Sequence, residues 1–146
     1  MQLYRKTSHT VFDLKYHLVW ATKYRKPILI GRVGTRVRDL IREICGAHSI
    51  QILRGHVSKD HVHIFISMPP QISVSKIAQY LKGKTSRKLL QEDANLRKKF
   101  WGQHLWGRGY FAVSSGTITD ETIMQYIENQ DEDAEKRGDS FTTLST

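Results

Sequence analysis

Two histidines at alternate positions are the residues best suited to chemistry. His61 and His63 flank Val62 in a run from Asp60 to Ile66 that alternates like a β-strand. Side chains alternate across a strand, so both imidazoles project from one face, about 6.6 Å apart along it. Imidazole nitrogen is the commonest protein ligand for metals. The spacing therefore predicts a place where one metal ion binds two nitrogens.

A second pair lies near the C-terminus, in a segment with helical spacing. Tyr126 and Gln130 are four residues apart, so their side chains share one helical face. The phenol is a nucleophile, and the amide oxygen suits hard divalent cations such as Mg²⁺ or Mn²⁺. If this helix docks against the histidines, a metal held by two nitrogens and one oxygen lies beside a tyrosine. That arrangement suits attack on a phosphodiester.

Each half of this constellation also has a plainer interpretation. A histidine pair on a strand often only forms hydrogen bonds or lies at the surface. A tyrosine in a helix is most often a packing residue. The prediction of a metal site with a tyrosine nucleophile therefore rests on the combination. His17 is the one other histidine that alternation places on the same face, and those at positions 9, 48, 56 and 104 are interpreted as structural or surface residues.

The elements that must position these residues can be read from apolar periodicity. The pattern predicts a strand over 12–20, a helix from Val33 to Ile44 that ends at Gly46, and strands over 50–57 and 61–68. A second helix begins after Ser73 and extends to about Leu89, followed by an edge strand over 110–113 and a last helix over about 119–133.

This order predicts an α+β fold of the ferredoxin-like, split βαβ kind. Two helices would cover one face of a four-stranded antiparallel sheet, and a C-terminal catalytic helix would follow. If the apolar residues of the third strand face the helices, His61 and His63 lie on the other, open face. The flexible joint at Ser114 to Gly116 precedes the last helix.

Length and composition predict one domain over residues 1–130 and a polar, acidic, partly disordered tail over 134–146. The single cysteine, Cys45, falls on an apolar helix face, so we expect it to pack in the core of a protein from a reducing compartment. No run of 18 apolar residues occurs. We therefore expect a soluble, cytoplasmic protein that does not enter a membrane.

Positive charge is concentrated in the body of the chain. Residues 1–130 hold 21 Lys and Arg against 9 Asp and Glu, or +12, whereas residues 131–146 hold 2 against 5, or −3. Such a body attracts a polyanion, of which nucleic acid is the commonest in a cytoplasm. The candidate phosphate contacts are basic side chains between 76 and 99, chiefly Lys82, Lys84, Arg87, Lys88, Lys98 and Lys99.

Several separated motifs together resemble a known family, the small single-tyrosine HUH transposases of the insertion-sequence 200/605 group. They are Tyr16-His17-Leu18-Val19-Trp20, Lys23-Tyr24-Arg25, Asp60-His61-Val62-His63, Leu81-Lys82-Gly83, Leu105-Trp106, and Tyr126-Ile127-Glu128 with Gln130. The resemblance covers nearly the whole chain. It implies that His61, His63 and Gln130 bind one Mg²⁺ or Mn²⁺, and that Tyr126 attacks DNA to leave a 5′-phosphotyrosine and a free 3′-hydroxyl.

The resemblance also implies partners. Members of this family act as homodimers on single-stranded DNA with a hairpin near each transposon end, and share active sites between subunits. Two alternatives stay open. One is another HUH single-strand nickase, repeat-associated or of the replication type. The other is a non-catalytic module that binds RNA or single-stranded DNA, although the predicted open face offers histidines rather than paired aromatics.

Overall fold

The structure is a computed structural model that describes residues 4–100, 104–114, 122 and 140–143. In chain order these contain strands β1 (Arg5–Lys6), β2 (Val11–Phe12) and β3 (Leu14–Ala21), a 3-10 turn (Lys23–Arg25), helix α1 (Gly31–Ala47), strands β4 (Gln51–Val57) and β5 (His61–Met68), helices α2 (Val74–Glu92) and α3 (Ala94–Lys99), and strands β6 (Phe111–Ser114) and β7 (Ser140–Phe141).

Five of these strands form one antiparallel sheet in the order β6-β3-β5-β4-β7. β3 and β4 run parallel with β5 between them, which is the split βαβ arrangement. The predicted ferredoxin-like order of strand, helix, two strands, helix and strand is thus confirmed. The short β1–β2 hairpin, α3 and β7 are additions to this order. Because β7 joins the main sheet, that sheet has five strands, whereas four were predicted.

The core lies between the two long helices and one face of the sheet. The alternate β5 residues Val62, Ile64, Ile66 and Met68 are all buried in it, as the alternation predicted. The buried residues of α1 and α2, which recur at helical spacing, belong to the same core. Cys45 belongs to this core, and its burial raises the pKa of the thiol to about 12. The prediction that Cys45 packs rather than reacts agrees with both observations.

Local signals fix the ends of α2. The Ser73 hydroxyl accepts a hydrogen bond from the Lys76 backbone N–H, as expected of an N-cap. At the other end the Asp93 carboxylate accepts a hydrogen bond from the Leu96 backbone N–H, which ends α2 and begins α3. The basic residues between 76 and 99 are therefore divided between α2 and α3.

β4 contains an irregularity that changes which side chains face the core. Its register against β5 shifts between Ile52 and Arg54, so that Leu53 is an extra residue. A bulge of this kind reverses the alternation beyond it. Ile52 and Val57, five residues apart, are therefore both in the core, and His56 pairs with His63 of β5.

The described part of the predicted polar tail, residues 140–143, packs on the sheet. Ser140 and Phe141 form β7 on the edge of β4, and the Phe141 ring is buried in the core. A Cβ added to Gly55 would lie 2.5 Å from that ring, so the missing side chain at Gly55 provides its space. Apolar burial outweighs the polar composition of the flanking residues. The rest of the predicted tail, 134–139 and 144–146, lies outside the described residues.

The sheet face opposite α1 and α2 is not the open surface that the pattern predicted. His17, His63, Phe65 and Ser67 are all buried there. The rings of His17 and His63 pack edge to face there, 5.2 Å apart. Among the described helices, none is long and apolar enough to cross a membrane.

Candidate metal centre and nucleic-acid interface

Four histidines from three neighbouring strands meet on this sheet face. The ring of His63 lies 5.0 Å from that of His61, 5.2 Å from that of His17 and 6.4 Å from that of His56. The predicted pair is therefore brought together, and His17 joins it as its place in the alternation indicated. Pairing of β5 with β3 on one side and β4 on the other produces the cluster.

His56 is the member that sequence reasoning missed. Strict alternation from the buried Ile52 would point His56 into the core, and the bulge at Leu53 turns it to the histidine face instead. The available signal was the incompatible spacing of Ile52 and Val57, which cannot both face the core in a regular strand. His56 Nε2 lies 3.1 Å from the Ser58 hydroxyl, inside the protein.

His61 is oriented by the residue before it. Its Nδ1 lies 2.7 Å from Asp60 Oδ1, while Asp60 Oδ2 accepts a hydrogen bond from Arg25 Nε at 3.2 Å. Burial alone would raise the pKa of Asp60, but the bonds from His61 and Arg25 hold that pKa below its ordinary value. An ionised carboxylate only accepts hydrogen bonds, so Nδ1 of His61 carries a proton, and in the neutral ring the lone pair is on Nε2.

His63 is kept neutral by its surroundings. Burial, and then the neighbouring His61, His17 and His56, lower its pKa to about 3. Burial also lowers the pKa of His17, whose Nδ1 has no hydrogen-bond partner among the described residues. Neutral imidazoles are the form that binds metal.

The donor set fits a divalent metal at His61 and His63. One ring is oriented by a carboxylate, as metal-binding histidines commonly are, and the other is neutral and buried beside it. The two other predicted site residues, Tyr126 and Gln130, lie outside the described residues. Within the described part of the chain no group of three His, Cys, Asp or Glu side chains forms a complete metal site. A metal held by His61 and His63 would need further ligands beyond these two side chains.

The 3-10 turn at Lys23–Arg25 is fastened to the same end of the sheet. The Thr22 backbone N–H donates to the Asp60 carbonyl at 2.9 Å, and the Thr22 hydroxyl bonds the Lys26 carbonyl at 2.8 Å. Lys23 N–H donates to the Leu105 carbonyl at 2.9 Å. The turn, the Asp60–His61 pair and the 105–106 segment thus form one hydrogen-bonded unit.

The predicted DNA contacts divide into two groups. Arg87, Lys88, Lys98 and Lys99 are exposed on α2 and α3. Lys82 instead donates from Nζ to the carbonyls of Gly107 and Gly109, both at 2.8 Å, and Lys84 lies over the Tyr80 ring with Nζ 5.1 Å from its centre. Burial lowers the pKa of Lys82. Its geometry indicates a residue that holds the 107–109 segment in place.

A groove of about 640 Å³ lies between α2 and that segment. Its walls carry positive charge from Lys82, Arg87 and Arg108, and the rings of His104 and Trp106 also line it. Trp106 is largely in the core and donates from its indole to the Thr85 hydroxyl at 2.8 Å. Phe100 is also buried, whereas Tyr110 and Phe111 are exposed and accessible to a base.

Comparison with known sequences gives consistent relatives. A sequence model of the family described as "Transposase IS200 like" matches residues 10–130. The ISDra2 transposase TnpA of Deinococcus radiodurans is 33% identical over 120 residues, which are 82% of this chain and 86% of that protein. The transposase for insertion sequence element IS200 of Salmonella typhimurium is 33% identical over 138 residues, 94% of this chain and 90% of that protein.

Solved structures give the same grouping. A crystal structure of a protein from Deinococcus radiodurans R1, provisionally assigned as a transposase, has a TM-score of 0.71 at 32% identity, covering 86% of this chain and 97% of that one. A REP-associated tyrosine transposase bound to a REP hairpin has a TM-score of 0.66 at 14% identity, covering 91% and 74%. The second likeness is one of fold.

Proposed function

Because this chain belongs to the IS200-like transposase family, we propose that it cuts and rejoins single-stranded DNA at hairpin-marked transposon ends through a 5′-phosphotyrosine on Tyr126. Family membership identifies the chain as a transposase, an enzyme that exchanges DNA phosphodiesters. The tyrosine, the metal, the hairpin and the subunit arrangement are the parts we propose.

The observation that carries the proposal is the arrangement of His61 and His63. Asp60 fixes the proton of His61 on Nδ1, and burial keeps His63 neutral, so two imidazole lone pairs are available side by side. Metal-binding histidines commonly donate their second ring N–H to a carboxylate in this way. Gln130 would add an oxygen ligand, and Mg²⁺ or Mn²⁺ is the cation that this mixed donor set suits. When bound, such a cation polarises a phosphoryl oxygen.

The proposed chemistry is two balanced transesterifications. The Tyr126 oxygen forms a bond to the scissile phosphorus, and the bond from phosphorus to the 3′ oxygen breaks. The phenolic proton is lost and the departing 3′ oxygen takes up one proton. A 3′-hydroxyl then attacks the phosphotyrosine, which restores both the phosphodiester and the phenol. The number of phosphoester bonds is unchanged, so rejoining needs no nucleotide cofactor.

Binding to DNA is supported by charge. Exposed Arg87, Lys88, Lys98 and Lys99 form a basic surface on α2 and α3, and phosphate contacts of this kind supply most sequence-independent affinity. A relative by fold is described as bound to a hairpin, which supports a hairpin as the structured part of this substrate. We further propose a homodimer in which active sites are shared between subunits.

The alternative within the same chemistry is another HUH nickase, repeat-associated or of the replication type. It would form the same phosphotyrosine and differ in whether strands are rejoined. The alternative of another class is a non-catalytic module that binds RNA or single-stranded DNA. Burial of the histidine face argues against it, because a binding sheet of that kind presents exposed aromatics to its bases.

The test is a search for a covalent adduct. The full chain is incubated with Mg²⁺ or Mn²⁺ and a labelled oligonucleotide that carries the hairpin and single-stranded flank from the end of its own element. We expect a labelled protein band on a denaturing gel that disappears in Tyr126→Phe and with chelator. Tyr4→Phe, which makes the same change at the exposed Tyr4, is the control and should leave the band intact.

Each outcome decides between the candidates. An adduct followed by a joined donor–target product supports the transposase, and an adduct without joining, with both ends supplied, supports a nickase. Binding without an adduct under both metals supports the non-catalytic module. An adduct that persists in Tyr126→Phe contradicts the assignment of the nucleophile.

A further inference from the structure

The 3-10 turn holds an aromatic side chain in an unusual backbone conformation. Tyr24 has φ +60° and Arg25 has φ +53°, so two successive residues other than glycine are in the left-handed region. That region is unfavourable for residues with a Cβ, and such conformations collect at functional sites. Among the described non-glycine residues only Ser49 shares this sign of φ. The turn is therefore a strained segment whose conformation is imposed by its neighbours.

Those neighbours belong to the candidate metal centre. Arg25 reaches Asp60, and Asp60 in turn orients His61, through contacts of 3.2 Å and 2.7 Å. The Thr22 hydrogen bonds hold the base of the turn to the Asp60 and Lys26 carbonyls. The position of Tyr24 is thus fixed relative to His61 through a short chain of polar contacts.

The side chain so fixed points into solvent. Tyr24 is 77% exposed, the largest value among the exposed large hydrophobic residues of the described chain. The Nζ atoms of Lys23 and Lys26 lie 5.4 Å and 6.0 Å from its ring centre. No other aromatic ring among the described residues stacks on it, in contrast to Tyr80, which stacks on His48 at 4.8 Å.

We propose that Tyr24 is the stacking platform for one unpaired base of the single-stranded DNA beside the scissile phosphate. Lys23 and Lys26 would contact the phosphates on either side of that base. The inference rests on the proposed function, because it takes the substrate from there. It adds a subsite: a base-binding position that belongs to the turn and not to the hairpin-binding surface.

Three features favour a base as the occupant. The Tyr24 ring is largely exposed, the described groups over it are the ends of the Lys23 and Lys26 side chains, and stacking on such a ring accepts any base. The positive charges of Lys23 and Lys26 lie within about 6 Å of the ring centre, which favours a ligand that carries phosphates over an apolar peptide. The Arg25–Asp60–His61 contacts tie the turn that carries Tyr24 to the end of the sheet with the proposed metal ligands, which favours a base of the strand that enters this site.

The experiment measures binding without chemistry. Tyr126→Phe is used as the parent chain, so that no adduct forms, and two fluorescent probes are titrated: the element's hairpin with its single-stranded flank, and the same hairpin without the flank. Tyr24→Ala, Tyr24→Phe and the control Tyr4→Ala are made in this parent. A 2-aminopurine is placed at successive flank positions, because stacking on an aromatic ring quenches its fluorescence.

We expect Tyr24→Ala to weaken binding of the flanked probe about tenfold and to leave the flankless hairpin unchanged. Tyr24→Phe should keep both the affinity and the quenching at one flank position, since the ring remains. Tyr4→Ala should match the parent. Equal binding of the flanked probe by Tyr24→Ala and the parent would overturn the proposal. So would a parallel loss on both probes, because it would place Tyr24 in the hairpin surface or in the fold.

Failure of the proposed function has a different signature. The chain with Tyr126 intact would then form no adduct on the flanked probe, whatever the result of the Tyr24 titrations. Normal adduct formation together with unchanged flank binding in Tyr24→Ala would reject the subsite alone.

Discussion

Asp60 and His61, adjacent in the chain, are joined side chain to side chain by a contact of 2.7 Å between Oδ1 and Nδ1. Neighbouring side chains on a strand ordinarily point to opposite faces. Here Asp60 lies just before β5 begins, so its backbone need not follow the alternation of the strand. Its carboxylate can therefore contact the imidazole of the next residue. The result is a preset tautomer at a candidate metal ligand, provided by the sequence neighbour itself.

The first prediction follows from the two donors that Asp60 accepts. Asn at position 60 has one acceptor oxygen for the two donors His61 and Arg25, so one of these contacts is lost. We expect Asp60→Asn to weaken Mn²⁺ binding about 10- to 100-fold, as is common for partners of metal-binding histidines. Free Mn²⁺, followed by electron paramagnetic resonance during titration, gives the affinity.

Asp39→Asn is the matched control, because Asp39 is ion-paired with Arg38 at 3.2 Å on the surface of α1. It removes the same charge from the chain at a distance from the histidines. Unchanged Mn²⁺ affinity in Asp60→Asn, or an equal loss in both variants, would show that Asp60 does not prepare His61 for a metal.

The second prediction concerns stability and pH in metal-free protein. The pKa of His63 falls from its ordinary 6.5 to about 3 on folding, so between these values the unfolded chain binds a proton that the folded chain does not. Stability is therefore greatest above pH 6.5 and is lost as pH falls, by about 1.4 kcal/mol per pH unit for one such group. Urea unfolding at pH 6.5, 5.5 and 4.5, in chelator, measures this slope.

His63→Asn removes the titrating group while it keeps a side chain of similar size. Its slope over the same range should be smaller than that of the parent by about one proton. His17→Asn should also reduce the slope, since burial lowers the pKa of His17 too. A slope in His63→Asn equal to that of the parent would contradict the lowered pKa.

The sheet and its histidine face were largely predictable from sequence, because alternation is a local property of each strand. The bounds of β5 were predicted to the residue, and the predicted cap at Ser73 acts through its own side chain. The role of His56 was not predictable in this way. A bulge at Leu53 moves His56 to the other face, and the shift depends on pairing with β5 rather than on the residues of β4 alone.

The tail shows the same limit from another side. Phe141 stands alone among polar residues, so no periodic pattern marks β7, and its burial depends on the space above Gly55 some 86 positions earlier. The Thr143 N–H bond to the Ile52 carbonyl, at 3.0 Å, is equally remote in sequence. Contacts of this kind come from the folded edge of the sheet and have no local signal.

The third prediction tests that contact with two glycines. A Cβ at Gly55 would lie 2.5 Å from the Phe141 ring, whereas a Cβ at Gly83, in the middle of α2, has nothing within 4 Å. We expect Gly55→Ala to lower the free energy of unfolding by about 1–3 kcal/mol through overpacking. Gly83→Ala should raise it by about 0.5–1 kcal/mol, because alanine favours a helix.

Chemical denaturation of both variants under one condition gives the comparison. Phe141→Ala combined with Gly55→Ala separates the cause: with the ring removed, the added methyl group should cost little further stability. If Gly55→Ala destabilises the chain equally with and without Phe141, the contact between the two residues is not what excludes a side chain at Gly55.

The fourth prediction concerns the strained turn. An exposed glycine is ordinarily less stabilising than an alanine by about 0.5–1 kcal/mol, but at φ +60° the order should reverse because a Cβ in the left-handed region costs about 1–2 kcal/mol. Tyr24→Gly should therefore unfold at a higher temperature than Tyr24→Ala by a few degrees, while both lose the flank-dependent DNA binding that the ring provides. Scanning calorimetry of the two variants beside the parent measures the difference.

If Tyr24→Gly is instead the less stable of the two, the turn carries no strain from its side chain. Tyr24 would then not reduce the stability of the fold, and its backbone conformation would no longer be an argument for a binding role.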